Sequence, residues 1–369
     1  MRRLTVVQML PALEAGGVER STLEIAEALV SAGHRAIVVS RGGRLLTQLE
    51  AVGGEHIALD IGRKSPWTFR HVPALRRLFV DVGADIVHAR SRLPAWLAWR
   101  AVQGMRGPRP RFVTTAHGLN SPSRYSAIMT RGERVICVSK VVREYLLQHY
   151  PTTDPRCLRV VPRGIDVACF PRVTLPDRDL RTRFSIDHPQ LGGDGPLLLL
   201  PGRGTRLKGH ADALDLLGEL RAGGMDARLW MPGALDPERA DYVDELLARA
   251  RSMGVADALA ITSPTDAIAN AYAACDLVLQ VSRKPEAFGR TVIEATSVGR
   301  PIVGWAHGGV GELLAELQPE GAVAPFDLDQ LADRARVLLA QPFVPAATMP
   351  YTLQGMQQAT MNVYRELSE

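Results

Sequence analysis

The chain has 369 residues, 46% of them hydrophobic and 22% charged, with a formal net charge of +5. That length favours two α/β domains over one core, and no internal repeat, low-complexity tract or disordered tail interrupts it. No apolar run reaches the roughly 18 residues needed to span a membrane. The four cysteines, Cys137, Cys157, Cys169 and Cys275, are scattered without metal-ligand spacing, so a reducing cytoplasm and no metal site are expected.

Leu4 to Leu10 reads as a first strand. Residues 4–13 are too short and wrongly flanked for a signal peptide. Gly16-Gly17-Val18-Glu19 follows as a glycine loop. Trp67 to Val80 combines Trp67, Phe69, Val72, Leu75, Leu78 and Phe79 with Arg70, His71, Arg76 and Arg77. That pattern suits an interfacial amphipathic helix, and equally a sheet-covering helix with an arginine-rich solvent face. Val87-His88-Ala89-Arg90-Ser91-Arg92 ends a strand and is unusually basic. Thr115-Ala116-His117-Gly118 ends another strand, where His117 suits either a site or a satisfied structural histidine. Pro162 through Pro171 to Pro176 marks a linker. Residues 1–165 hold 25 Lys and Arg against 12 Asp and Glu, leaving 19 against 27 for the remainder. A first domain so basic predicts an acidic partner: a phosphorylated acceptor or an anionic membrane surface. Nucleic acid is not expected, because no aromatic-basic interleaving or binding motif appears.

In the second half, Leu197 to Pro201 reads as a strand running into Gly202-Arg203-Gly204-Thr205-Arg206-Leu207-Lys208-Gly209. Glycines let backbone approach a ligand, and Arg203 and Lys208 bring two positive charges to the strand end. The run fits neither a P-loop nor the Gly-x-Gly-x-x-Gly fingerprint, and the lack of that fingerprint after the first strand argues against a dinucleotide-dependent dehydrogenase. A basic turn capping a helix would look the same. Cys275 to Val281 reads as a buried strand, followed by Lys284-Pro-Glu-Ala-Phe-Gly-Arg-Thr-Val-Ile-Glu294. The Phe288-Gly289 break puts Glu286 in a loop and Glu294 on a helix. Strand, glycine-containing loop and helix is an arrangement whose free N–H groups hold phosphate. Two nearby carboxylates then suit a ligand with both phosphate and hydroxyls, such as a sugar nucleotide, although two glutamates can also be a solvated face.

In order and spacing these segments resemble the retaining GT-B glycosyltransferases of glycosyltransferase family 4, nearly end to end. Gly16-Gly17 resembles the family's glycine loop and His117-Gly118 its active-site His-Gly. Val135-Ile136-Cys137-Val138-Ser139-Lys140 and Val160-Val161-Pro162-Arg163-Gly164-Ile165-Asp166 resemble the segments leading into the linker. The resemblance implies an α/β GT-B fold, with two Rossmann-like doubly wound domains facing across a cleft. Residues 1–165 would form the acceptor domain, joined by the closing helix region 349–369 (the helix itself about Thr352 to Leu367). Residues 166–348 would bind the donor.

It further implies a metal-independent, retaining hexosyltransferase without cofactor, using a nucleotide sugar, UDP-linked in preference to GDP-linked. Arg203 and Lys208 would contact the diphosphate, helped by N–H groups of Gly289, Arg290 and Thr291. Glu294 would bind the ribose and Glu286 the donor sugar. His117, Gly16 and Gly17 would close over the donor from the other domain. Two departures stand out: Arg163 replaces the usual Asn before Gly-Ile-Asp, and Arg290-Thr291 replaces apolar residues. Pro162-Arg163-Gly164 and the basic run at Arg90 and Arg92 resemble the branch acting on bacterial lipopolysaccharide core. An anionic glycolipid or glycan would then meet Arg90, Arg92 and Arg163, on a cytoplasmic protein touching the inner membrane peripherally. A nucleotide-sugar epimerase and a non-catalytic GT-B partner-binding protein share this layout and stay open.

Overall fold

The computed structural model describes residues 2–14, 16–341 and 345–368. The chain forms two compact units: 1–163 with 353–369, and 164–352. The first is built on β1 (Thr5–Met9), β2 (Arg35–Ser40), β3 (Glu55–Ala58), β4 (Ile86–Ala89), β5 (Arg111–Ala116), β6 (Arg134–Cys137) and β7 (Leu158–Val160). These make one sheet in the order β3-β2-β1-β4-β5-β6-β7, with every pair parallel. Its strands are apolar on both faces because helices cover both. Val6, Val38 and Ile86 join one buried cluster, while Val7, Val39 and Val87 join another.

The final helix, Leu353–Arg365, belongs to this unit. Met356, Met361, Val363 and Tyr364 are buried in the cluster that contains Val6 and Ile25. Past its end, Glu366 accepts hydrogen bonds from Arg134 at 2.8 Å and Arg159 at 2.7 Å. Tyr364 also reaches the sheet's polar interior: its hydroxyl shares a 2.7 Å hydrogen bond with Nδ1 of His88, whose Nε2 shares one of 2.6 Å with Thr115 Oγ1.

The second unit is built on β8 (Leu197–Leu199), β9 (Arg228–Pro232), β10 (Leu259–Thr262), β11 (Leu277–Gln280), β12 (Ile302–Trp305) and β13 (Ala322–Val323), again all parallel, in the order β10-β9-β8-β11-β12-β13. Leu198, Leu229, Leu279 and the fully buried Trp305 anchor its core. In both sheets the strand order reverses once, between β1 and β4 and between β8 and β11. Helices leave opposite faces at such a point, so a crevice opens beyond the strands' carboxyl ends.

The segment from Trp67 to Val80 is not one amphipathic helix. A 3-10 turn, Pro66–His71, precedes an α-helix, Val72–Asp81, with Pro73 in its first turn. Pro73 has no N–H to donate to the carbonyl four residues back, so the α ladder starts afresh at Val72. Leu75 and Phe79 pack into the unit's own core, whereas Trp67 is 77% exposed. Among the described residues no helix is long and apolar enough to cross a membrane.

Candidate functional site

In the second unit the two loops that leave β8 and β11 meet at the strand-order reversal. Gly209 makes this possible. It sits at φ 75° where a Cβ would lie 1.9 Å from the Val281 carbonyl oxygen, so a side chain would push the loops apart. The loops are further tied by Arg283 N–H donating to the Leu207 carbonyl at 2.8 Å. Lys208 Nζ consequently donates to Glu286 Oε1 at 2.6 Å, and Ser282 Oγ donates to the same oxygen at 2.6 Å. Burial pushes the Glu286 carboxyl up, but the Lys208 ammonium and the hydrogen bonds outweigh it and hold the group below its ordinary value. Arg203 is exposed on the same loop; Arg206 turns away to pair with Glu245 at 2.6 Å.

Gly289 lies at φ 106° and opens the helix Arg290–Val298 without a side-chain cap. The first turn of a helix presents its N–H groups toward its N-terminal end, on the side of the positive side chains. Glu294 sits one turn into this helix and is engaged at both oxygens, by Arg290 at 3.1 Å and by the buried Tyr272 hydroxyl at 2.9 Å. The structure thus brings Lys208 to Glu286 and Arg290 to Glu294, with Thr291 on the same first turn.

Further residues of this edge escaped the sequence reading. Ser282 bonds Glu286, and His307 Nε2–H donates to the Ser282 carbonyl at 2.8 Å. Gly309 N–H donates to the Glu286 carbonyl at 2.7 Å, and a Cβ on Gly309 would lie 2.5 Å from Phe288 Cα. The helix Gly308–Leu317 therefore props the loop that carries Glu286. The paired glycines after the apolar strand Ile302–Trp305 were the available signal.

In the first unit, Arg90 follows β4 and His117 follows β5. With Glu19, Arg92, Gly118 and Asn120 they line a cavity of about 300 Å³. Arg90 is buried, and its guanidinium donates to Gln8 Oε1 at 2.7 Å and Ser21 Oγ at 2.5 Å, while Nε has no partner. Burial lowers its pKa to about 10, against the pull of Tyr364 and Glu24. Arg92 donates to Ser126 Oγ at 3.1 Å and lies over the Tyr125 ring. Arg163 is 9% exposed, donates to His117 Nδ1, and contacts Met356 Sδ at 3.7 Å. Gly16 caps the helix Gly17–Ser31 with extended backbone, and both glycines are exposed. A second cavity of about 590 Å³ shares Arg92 and adds Lys64, Phe69 and Tyr125. Among the described residues no group of three or more His, Cys, Asp or Glu is placed to hold a metal ion.

Two parallel Rossmann-like sheets, each with charged loops at its strand-order reversal, define the GT-B class of fold. Residues 15–168 match the family described as Glycosyltransferase Family 4 and residues 183–351 that described as Glycosyl transferases group 1, so the chain carries both domains. A glycosyltransferase from Rickettsia africae superposes over 100% of both chains, with a TM-score of 0.88 and 25% identity. Anabaena HepE, crystallised with UDP and glucose, superposes over 99% of this chain and 98% of its own, with a TM-score of 0.77 and 18% identity. Lipopolysaccharide 1,2-N-acetylglucosaminetransferase of Salmonella typhimurium is 24% identical over 69% of this chain and 66% of its own. The match spans less than half the length of three other curated relatives: 2-deoxystreptamine glucosyltransferase of Streptomyces kanamyceticus, D-inositol 3-phosphate glycosyltransferase of Segniliparus rotundus and mannosylfructose-phosphate synthase of Agrobacterium fabrum.

Burial, with Arg90 and Arg163 nearby, holds His88 and His117 well below their ordinary pKa. Unfolding restores the ordinary value near 6.5, so below about that pH the unfolded chain binds protons that the folded chain refuses, and stability falls. Each histidine contributes a slope of at most about 1.4 kcal/mol per pH unit. The melting temperature should drop from pH 7.5 to 5.5, less steeply in His117→Gln. A melting temperature independent of pH over this range would contradict the assignment.

Proposed function

We propose that the chain is a retaining, metal-independent glycosyltransferase that takes a sugar from a nucleoside diphosphate sugar, UDP-linked in preference to GDP-linked. The observation that carries this reading is the meeting of Lys208 and Glu286 at the reversal point of the second sheet, with Arg203 exposed on the same loop as Lys208 and the helix Arg290–Val298 starting beside them. That edge offers two side-chain cations and backbone donors to a diphosphate, and carboxylates to hydroxyls. As the glycosidic bond breaks, negative charge grows on the departing diphosphate. Cations fixed there act more on the transition state than on the bound donor, and so raise turnover. A departing phosphate oxygen on the acceptor's face of the sugar would accept the acceptor's proton, which retains the anomeric configuration without a protein nucleophile.

Lys208 enters this step already paired to Glu286. Both side chains are partly exposed, 30% and 24%, so the pair stays within reach of a ligand. A diphosphate can therefore draw the ammonium across, freeing Glu286 to accept hydrogen bonds from sugar hydroxyls. Glu294 would receive the ribose, with Arg290 and Tyr272 fixing its orientation.

On the first unit we assign the acceptor to the two cavities that share Arg92. Arg90, Arg92, Arg163 and Lys64 supply positive charge, and Phe69 and Tyr125 supply apolar surface. That combination suits an anionic glycolipid or glycan, and lipopolysaccharide core is the acceptor that the likeness to the Salmonella enzyme favours. The exposed Trp67, with Arg63 and Arg70 beside it, suits peripheral contact with the anionic cytoplasmic face of the inner membrane.

Lys208→Ala should lower kcat by about 10²–10³, as the loss of one transition-state donor does, with melting temperature little changed. A transfer rate equal to wild type would refute the role. UDP should raise the melting temperature equally with and without chelator, and a shift that vanishes with chelator would overturn the metal-free reading. For the membrane, the protein should pellet with vesicles containing anionic lipid at low salt and Trp67→Ser should pellet less. Wild-type protein staying in the supernatant with all vesicles would end that assignment.

A further inference from the structure

His117 and Arg163 are 46 positions apart in the chain, yet the Arg163 guanidinium meets Nδ1 of the imidazole. Arginine carries donors only and does not lose its proton, so the ring nitrogen it meets must accept. An amide at position 163 would not impose this, because it offers a donor and an acceptor and permits either tautomer. With Nδ1 accepting, the single ring proton of a neutral imidazole stands on Nε2. That atom is buried and has no partner. The ring that carries it lines the 300 Å³ cavity shared with Arg90, Arg92 and Glu19.

We propose that Arg163 is a positioning residue that locks His117 as the neutral Nε2–H tautomer. The imidazole is thereby reserved as a hydrogen-bond donor to an oxygen of whatever occupies the cavity.

The surroundings agree from every side. Arg163 follows β7 and is itself held against Met356 of the final helix. Arg90, following β4, and His88, within β4, act on the same ring, and each opposes a positive charge on it. Among the described residues, the groups acting on the ring, Arg163, Arg90 and His88, include no carboxylate to stabilise an imidazolium. His88 is occupied at both nitrogens, by Tyr364 and Thr115, so it cannot exchange a proton with His117 without breaking a buried hydrogen bond. A buried donor left unpaired costs roughly 1–3 kcal/mol, which a ligand oxygen recovers on arrival. His117 is thus excluded as a general base: its acceptor nitrogen is spent on Arg163. The tautomer assignment is independent of the proposed reaction; only the identity of the ligand oxygen, as one belonging to a bound sugar or phosphate, rests on that reading.

The test is a two-bond proton–nitrogen correlation spectrum of the full chain labelled with nitrogen-15 histidine. The His117 signal is assigned by its loss in His117→Gln. At pH 7 the wild type should show the pattern of a neutral ring protonated at Nε2, and keep it at pH 5.5. In Arg163→Met the same ring should become a mixture of tautomers and begin to titrate within that range, and Arg163→Lys should restore the wild-type pattern in part. A ring protonated at Nδ1, or a charged ring at pH 7, in the wild type overturns the proposal even if the variants fail to fold. So does an unchanged pattern in a folded Arg163→Met. Transfer activity is read in parallel. Arg163→Met should lower kcat at least tenfold with a smaller change in KM. If the spectra are as expected and no sugar transfer is found in the wild type, the glycosyltransferase reading falls and the tautomer lock stands.

Discussion

The ion pair between Lys208 and Glu286 is the constraint on which the second unit's chemistry depends. It places a cation and an anion 2.6 Å apart at the one point of the sheet where a crevice must open. Neither residue could reach the other if the loops after β8 and β11 stood apart, and Gly209 is what lets them touch. The pair satisfies both groups, and the two side chains keep 30% and 24% of their surface exposed, so a ligand can reach each. The same contact that holds the loop in shape is therefore the one that the proposed diphosphate must replace.

The first unit solves a different problem. Arg90 and Arg163 are buried there beside two histidines, Arg90 donating to Gln8 and Ser21 and Arg163 to His117 and Met356. Keeping such cations is costly unless something compensates them. The histidines respond by staying neutral. Arginine's inability to accept then decides which imidazole nitrogen is free. Electrostatics that would be wasteful in a structural core make sense at the wall of the cavity where the proposed acceptor would bind.

Much of this was legible in the sequence where a local pattern carried it. Apolar runs followed directly by glycine and charge, as at Leu197–Gly209 and Cys275–Glu294, announced strand, loop and helix start, and the observed strands Leu197–Leu199 and Leu277–Gln280 fall within those runs. What stayed hidden depends on contacts between distant positions. The bond between Tyr364 and His88 joins residues 276 apart, and nothing local in either marks it. The support of Glu286 by Gly309 is of the same kind. The segment from Trp67 to Val80 allowed two readings in the sequence; its Val72–Asp81 part is a helix whose Leu75 and Phe79 face the core, while Trp67 precedes it in a 3-10 turn and is exposed. Arg163 was visible as an unusual residue, although its partner was not.

The central claim is that side-chain cations of the second unit, held in place by their own loop geometry, receive the charge of a departing diphosphate. A crystal soaked with UDP tests it most directly. The account predicts the pyrophosphate within hydrogen-bond distance of Lys208 Nζ and Arg203, with Lys208 drawn off Glu286. A pyrophosphate bound away from the Gly202–Gly209 loop, with the Lys208–Glu286 pair undisturbed, would contradict it.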